Sequence, residues 1–198
     1  NHLDAHYLAA AGPEFPFPHL GLLVSGGHTL LAWREDRFRS RLLGETIDDA
    51  VGEAYDKAAR LLGLGYPGGP EVDRLAATGD PKAVKFSRPK VKGKPLHFSF
   101  SGIKTAVRYA LQPPPGARPK PGRAAGPLRT EDICASFQQV VMDTLFATLE
   151  RAAAALRCRR AVFGGPAAQY PAGPIVASLK LALSEKEEKK GKSEKRTS

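Results

Sequence analysis

The sequence predicts an α/β fold, and three observations carry that prediction. Two apolar runs of strand length, residues 20–24 and 29–33, flank a glycine turn, Ser25-Gly26-Gly27. Longer segments place apolar residues at helical spacing, the best of them over residues 132–156. A further short apolar run, residues 160–163, again leads into a glycine pair, Gly164-Gly165. Strands alternating with helices, with glycine turns after strands, are the pattern of α/β proteins.

Taken in order, residues 2–11 read as the end of a helix stopped by Gly12-Pro13. After the first two strands, charged residues 34–37 form a turn and residues 38–43 a third strand. Residues 46–62 carry Ile47, Ala50, Val51, Ala54, Ala58 and Leu61 on one helical face, and Gly63 closes that helix. A glycine-proline segment at 65–70 precedes a short helix over 71–78. Residues 98–102 look strand-like and 103–111 helical, and 112–127 form a Pro/Gly/Arg-rich loop with nothing to bury. A last helix is expected over 175–183, and the Lys/Glu tail at 184–198 lacks any apolar residue and reads as disordered.

Composition excludes several classes. The 198 residues are 42% hydrophobic and 25% charged, a globular balance. No apolar run approaches the roughly 18–20 residues needed to cross a bilayer. Cys134 and Cys158 have no CxxC partner, which excludes a disulfide scaffold and a cysteine zinc knuckle and fits a reducing cytoplasm. The opening Asn1-His2, without a methionine, predicts a chain that begins inside a longer one. Net charge is +10, concentrated in residues 81–130, which hold 12 Lys/Arg and no Asp/Glu. There Phe86, Phe98, Phe100 and Tyr109 are interleaved with Lys82, Lys85, Arg88, Lys90, Lys92, Lys94, Lys104 and Arg108. Basic residues with nearby aromatics suit a phosphate backbone and unstacked bases, whereas the bland reading is a solvated loop.

Four constellations bear on chemistry. His2 and His6, four apart, share a helix face and can ligate one metal ion, though a further protein ligand is needed. Leu23-Val24-Ser25-Gly26-Gly27 has the chemistry of a phosphate turn: glycines admit an anion to the backbone amides, and Ser25 and Thr29 add hydroxyls. The alternative is an ordinary hairpin turn. Glu45, Asp49 and Glu53 would form an acidic stripe on the helix over 46–62, with Asp56 near it. Gly52, inside that helix, costs roughly 1 kcal/mol against alanine and marks a close approach by a ligand or another backbone. Three glycine turns after apolar segments predict one cleft lined by backbone amides. No Walker A lysine and no GxSxG is present, so covalent catalysis has no support.

The run His2-Leu3-Asp4-Ala5-His6, then LLVSGGHT, GETIDDAVGEAYDKAARLLGLGYPGGP and FSFSGIKT, resembles the TsaD (Gcp) family, in its bacterial form. These are the catalytic subunits of tRNA threonylcarbamoyladenosine synthesis, once described as O-sialoglycoprotein endopeptidases. The resemblance covers residues 1–169. It implies an actin/Hsp70/sugar-kinase-like fold of two α/β lobes, here incomplete, lacking the start of lobe I and the usual C-terminus. Residues 1–19 would be a remnant of lobe I with the metal-binding helix, 20–183 lobe II with a basic insertion at 81–130, and 184–198 the tail. It also implies one Fe or Zn ion on His2 and His6, and threonylcarbamoyl-adenylate or ATP/AMP in the cleft. Leu23, Val24, Ser25, Gly26 and Gly27 would hold the phosphate and carbamoyl part, while Asp56 and Gly69 would contact the nucleotide.

The reaction implied is transfer of a threonylcarbamoyl group to N6 of adenosine 37 in tRNAs reading codons that begin with A. Implied partners are tRNA, on Lys85, Arg88, Lys90, Lys92, Lys94, Lys104 and Arg108, a paralogous pseudo-symmetric subunit and a small P-loop ATPase, in the cytoplasm with no membrane. The sequence departs from the family at Gly164-Gly165-Pro166-Ala167-Ala168-Gln169, where Gln169 stands in place of an asparagine that in the family touches the nucleotide and would itself be a nucleotide contact, and no aspartate follows Asp143 to complete the metal site. The competing functions are a metalloendopeptidase, for which HxxxH lacks the glutamate of HExxH, and an inactive tRNA- or partner-binding fragment.

Overall fold

Residues 16–112 and 128–165 are described by the computed structural model. Four strands, β1 (His19–Val24), β2 (Thr29–Arg34), β3 (Ser40–Glu45) and β4 (Ala161–Gly164), form one sheet in the order β3-β2-β1-β4. β1 and β2 make an antiparallel hairpin in which Val24 faces Thr29, as two apolar runs joined by a glycine turn require. β2 and β3 continue antiparallel, with a register shift at Leu31/Ala32. β4 returns parallel to β1, Leu20 against Ala161 and Leu23 against Gly164. Its apolar run with no alternation explains why β1 is buried at all six positions, as a central strand is.

The helices among the described residues are α1 (Val51–Leu61), α2 (Gly68–Ala76), α3 (Ser101–Leu111) and α4 (Thr130–Leu156). α4 turns Ile133, Phe137, Val141, Leu145, Leu149 and Ala152 inward, a stripe spaced by three or four residues. These pack with Leu20, Leu22, Val24 and Leu31 of the sheet, with Ala54, Tyr55 and Ala58 of α1, and with Ile103 and Val107 of α3 in a single cluster. Tyr55 lies edge-on to Phe137, ring centroids 5.0 Å apart. Burial pushes its phenol far above the usual tyrosine range.

Several boundaries differ from the sequence reading. The third strand runs over Ser40–Glu45 rather than 38–43, because Asp36 holds 37–39 in a turn by accepting the Phe38 and Arg39 amides, each at 2.8 Å. The helix read over 46–62 begins only at Val51. Thr46 instead forms a parallel bridge with Phe98, and Ile47 donates its amide to Phe98 O. Ile47 is therefore exposed, not a core residue. No acidic stripe exists: Glu45 ends β3, Asp49 pairs with Lys57 at 2.5 Å, and Glu53 accepts the Ala50 amide at the start of α1. The helix start at 71 moves back to Gly68, and 98–102 is a bridge followed by α3 rather than a strand. Gly63 does close α1, at φ +70°. The helices read over 2–11 and 175–183, the loop beyond 112 and the 184–198 tail lie outside the described residues.

Candidate functional site

β1 and β4 are parallel neighbours, and both end in glycine turns. In an open α/β sheet the crevice beyond the carboxyl ends of parallel strands is where ligands bind. Gly165 lies so close to β1 that an added Cβ would strike Val24 O, and its φ is +112°. The Gly164-Gly165 turn thus sits directly beside the Ser25-Gly26-Gly27 turn.

The first turn is fixed from behind by α1. Gly52 N donates to Ser25 O and Glu53 N to Gly26 O, each at 3.2 Å, while Val51 N donates to Thr29 Oγ1 at 3.0 Å. The opening amides of α1 are therefore committed to protein acceptors and do not form an anion site. A Cβ on Gly52 would lie 2.6 Å from Gly26 Cα. The glycine inside the helix is there for a close backbone approach, as the sequence predicts. Thr29 is a correction: it is buried, and its hydroxyl serves α1 rather than a phosphate. Ser25 Oγ accepts the His28 amide at 2.9 Å, holding the turn itself. Gly26 and Gly27 remain exposed, with open space where a side chain would be. Leu23 and Val24 are core residues of β1 and present only backbone at the turn.

Gly52 and Asp56, four apart, share a face of α1 about 6 Å apart. Asp56 Oδ1 accepts the Gly68 amide at 2.8 Å and so anchors the start of α2. Gly68 is tight against Ala59 and Tyr55 O, whereas Gly69 faces open space. The third glycine turn is thereby placed along the same α1 face as the first. Gly26 and Gly27 through Gly52, and Gly69 through Asp56 and Gly68, are thus all tied to α1. His2, His6 and Gln169 lie outside the described residues. Among the described residues no group of three or more His, Cys, Asp or Glu is placed to hold a metal ion.

Asp48 is the residue sequence reasoning missed. Its carboxylate accepts from Ser99 Oγ (2.6 Å), Phe100 N (2.8 Å), Ser101 N (3.3 Å) and Ser101 Oγ (2.8 Å). It caps α3 from across the chain. Burial opposes its ionisation, but these hydrogen bonds outweigh that and hold its carboxyl below the usual range. No local pattern announces this, because the partners lie 51–53 residues away.

The basic stretch divides in two. Lys85, Arg88, Lys90, Lys92 and Lys94 are exposed along a segment with no regular structure. Lys104 and Arg108 share a face of α3, and Arg108 lies 5.4 Å from the Tyr109 ring centroid. The interleaved aromatics need correction: Phe98 and Phe100 are core residues at 1% and 0% exposure, and Phe86 packs against the core. Of the four, Tyr109 alone is exposed to stack on a base.

A family model described as TsaD: tRNA N6-adenosine threonylcarbamoyltransferase matches residues 1–173. The chain is 48% identical over 167 residues to the tRNA N6-adenosine threonylcarbamoyltransferase of Anaeromyxobacter dehalogenans strain 2CP-1, covering 83% of this chain and 48% of that protein. It is 49% identical over 166 residues to the protein of the same name from Trichlorobacter lovleyi, covering 83% and 46%. The chain thus spans about half the length of the curated relatives it matches. Component A of the (R)-2-hydroxyglutaryl-CoA dehydratase of Acidaminococcus fermentans superposes with a TM-score of 0.53 at 15% identity, over 92% of this chain and 58% of that one. That likeness bears on the fold alone.

Proposed function

The chain belongs to the TsaD family of tRNA N6-adenosine threonylcarbamoyltransferases, and from that premise we propose that it carries the substrate-facing part of an enzyme moving a threonylcarbamoyl group from threonylcarbamoyl-adenylate to N6 of adenosine 37 in tRNA. In this reading residues 20–165 belong to the second lobe of an actin-like two-lobed fold, working in the cytoplasm with a paralogous subunit and a small P-loop ATPase. The observation that carries it is the glycine frame: exposed Gly26 and Gly27 beside Gly165, at the carboxyl ends of two parallel strands, with Asp56 and Gly69 on the same side of α1.

Backbone amides at Gly26 and Gly27 would donate to the phosphate and carbamoyl oxygens, where a side chain would keep the ligand away. Asp56 has Oδ1 committed to Gly68 N, so Oδ2 would accept from the ribose hydroxyls. The exocyclic amine attacks the carbamoyl carbon and gives up one proton to water, the bond from that carbon to the adenylate phosphate oxygen breaks, and AMP would leave with the charge that the glycine amides receive. Lys85, Arg88, Lys90, Lys92, Lys94, Lys104 and Arg108 would hold the RNA backbone. His2 and His6 are two imidazoles at helical spacing, a donor pair suited to Fe or Zn, which when bound would supply Lewis-acid polarisation. Because no aspartate completes the ligand set in this chain, added Fe or Zn is expected to raise the metal content of the wild type only weakly in elemental analysis, and that of His2→Ala/His6→Ala not at all. Equal metal content in both proteins would remove these histidines from the ligand set.

Asp56→Asn separates ligand binding from folding, because its amide oxygen still accepts the Gly68 N–H. Expected is an unfolding free energy within about 1 kcal/mol of wild type, with AMP affinity by calorimetry weaker by roughly tenfold, one charged hydrogen bond. Nucleoside mass spectrometry should find threonylcarbamoyl-adenosine in unmodified tRNA given the protein, its partners and threonylcarbamoyl-adenylate, and less of it with Asp56→Asn. A wild-type protein that binds neither AMP nor its adenylate overturns the reading.

A further inference from the structure

One end of the sheet, opposite the glycine turns, gathers charge that the proposed site does not use. The β2–β3 turn (residues 34–41) and the link from α4 to β4 (residues 157–160) together hold seven arginines against two carboxylates, Glu35 and Asp36. Strand register brings them together. Ser40 pairs with Arg34, Arg34 pairs with His19, and Leu20 N donates to Arg160 O. With strands about 4.8 Å apart, this row crosses roughly 14 Å of sheet edge. Arg160 reaches over it, donating to Pro18 O at 3.2 Å and Phe17 O at 3.1 Å.

At the tip of the turn stands Phe38, 92% exposed. It is held out deliberately by the fold: Asp36 Oδ1 takes the Phe38 and Arg39 amides, and Asp36 Oδ2 takes Arg39 Nε at 2.7 Å. Arg37 and Arg39 are the neighbours of Phe38 along the turn, Arg41 follows in β3, and all three are exposed, as are Arg157, Arg159 and Arg160. Every cation here is arginine, whereas the 85–94 segment is mostly lysine. Arginine's planar fork binds phosphate in bidentate fashion and stacks on bases, and an exposed aromatic ring adds a platform for an unpaired base.

We propose that this arginine-rich end, with Phe38 at its tip, is a second RNA-contacting surface, holding backbone phosphates of the substrate tRNA away from the reacting adenosine. The proposal rests on the tRNA reading above and extends it to a surface distinct from the lysine segment. A lipid surface fits less well, since among the described residues this end has no amphipathic helix with an exposed apolar face, and Phe38 and Leu42 are its only exposed large apolar side chains.

The test is fluorescence anisotropy of the 198-residue protein with unmodified tRNA across a salt series. Arg39→Gln/Arg41→Gln/Arg157→Gln should weaken binding roughly tenfold or more and flatten the salt dependence by about 2 in log–log slope. Phe38→Ala should weaken binding about fivefold or more and leave the slope unchanged. A matched Lys90→Gln/Lys92→Gln/Lys94→Gln variant serves as reference, and circular dichroism melts should be unchanged for substitutions this exposed. Wild-type affinity and slope in the arginine variant, with loss in the lysine variant, overturn this inference and leave the tRNA reading standing. A wild-type protein that does not bind tRNA overturns both. Arginine-dependent binding to phosphatidylserine vesicles, with tRNA binding untouched, assigns the surface to a membrane and overturns the inference.

Discussion

Gly52→Val is expected to destabilise the protein by about 3 kcal/mol and to weaken AMP binding at least tenfold. The position has no room: a Cβ alone would sit 2.6 Å from Gly26 Cα and 3.0 Å from Ser25 O, and both neighbours are backbone. Neither can rotate aside as a side chain would. Either α1 shifts away from the sheet, losing the bonds from Gly52 N and Glu53 N, or the glycine turn moves. Both outcomes disturb the exposed amides of Gly26 and Gly27. Urea denaturation measures the first effect through a lower midpoint at constant m, and calorimetry measures the second. Gly26→Ala is the informative contrast, since open space surrounds that position and the stability cost should be far smaller. A Gly52→Val protein with wild-type midpoint would mean that α1 and the turn are not in contact as described.

Asp48→Ala should cost about 2 kcal/mol, within the range of a lost helix cap and of hydrogen bonds to a charged group, reduced here by solvent exposure. Four donors, Ser99 Oγ, Phe100 N, Ser101 N and Ser101 Oγ, lose their acceptor at once. The effect carries a pH signature. Because the folded carboxyl titrates below its unfolded value of about 3.9, its stabilisation is fully present above that value. It fades as pH falls through the lower folded value. Wild type and Asp48→Ala should therefore differ in urea midpoint at pH 7 and converge towards pH 2–3. Asp48→Asn keeps one acceptor oxygen for the two amides and should recover part of the difference without its pH dependence. A gap that stays constant down to pH 2 would assign the cost to packing rather than to the charge.

How much of this was legible in the sequence depends on how far apart the interacting residues are. The β1–β2 hairpin was readable because two apolar runs and a Ser-Gly-Gly turn are contiguous. The same holds for α4, whose stripe repeats over 27 residues. The purpose of Gly52 was readable in kind, a close approach, although its neighbour Gly26 was not. The helix start at Val51 was misplaced because Ala50, Ile47 and Thr46 fit the helical period, and a partner at Phe98 draws the chain out instead. Phe98 and Phe100 looked like stacking residues among lysines, yet their burial depends on helices packed from elsewhere in the chain. Asp48 shows the limit most clearly: an acid beside another acid carries no mark of which helix it caps. Phe38 was missed for a simpler reason, since strand alternation assigned it to β3 and only Asp36 places it in the turn.

The parallel pairing of β1 with β4 has a consequence for how the chain is made. Leu20 and Ala161 are neighbours in space but lie 141 residues apart. On a ribosome adding ~5–20 residues per second, the inner edge of β1 waits ~7–30 s for its partner strand. Throughout that interval the three-stranded β1–β2–β3 meander presents an unpaired edge that is apolar but for His19, the kind that recruits a strand from another chain. A nascent polypeptide of this design has good reason to be met by a chaperone until residue 164 has emerged.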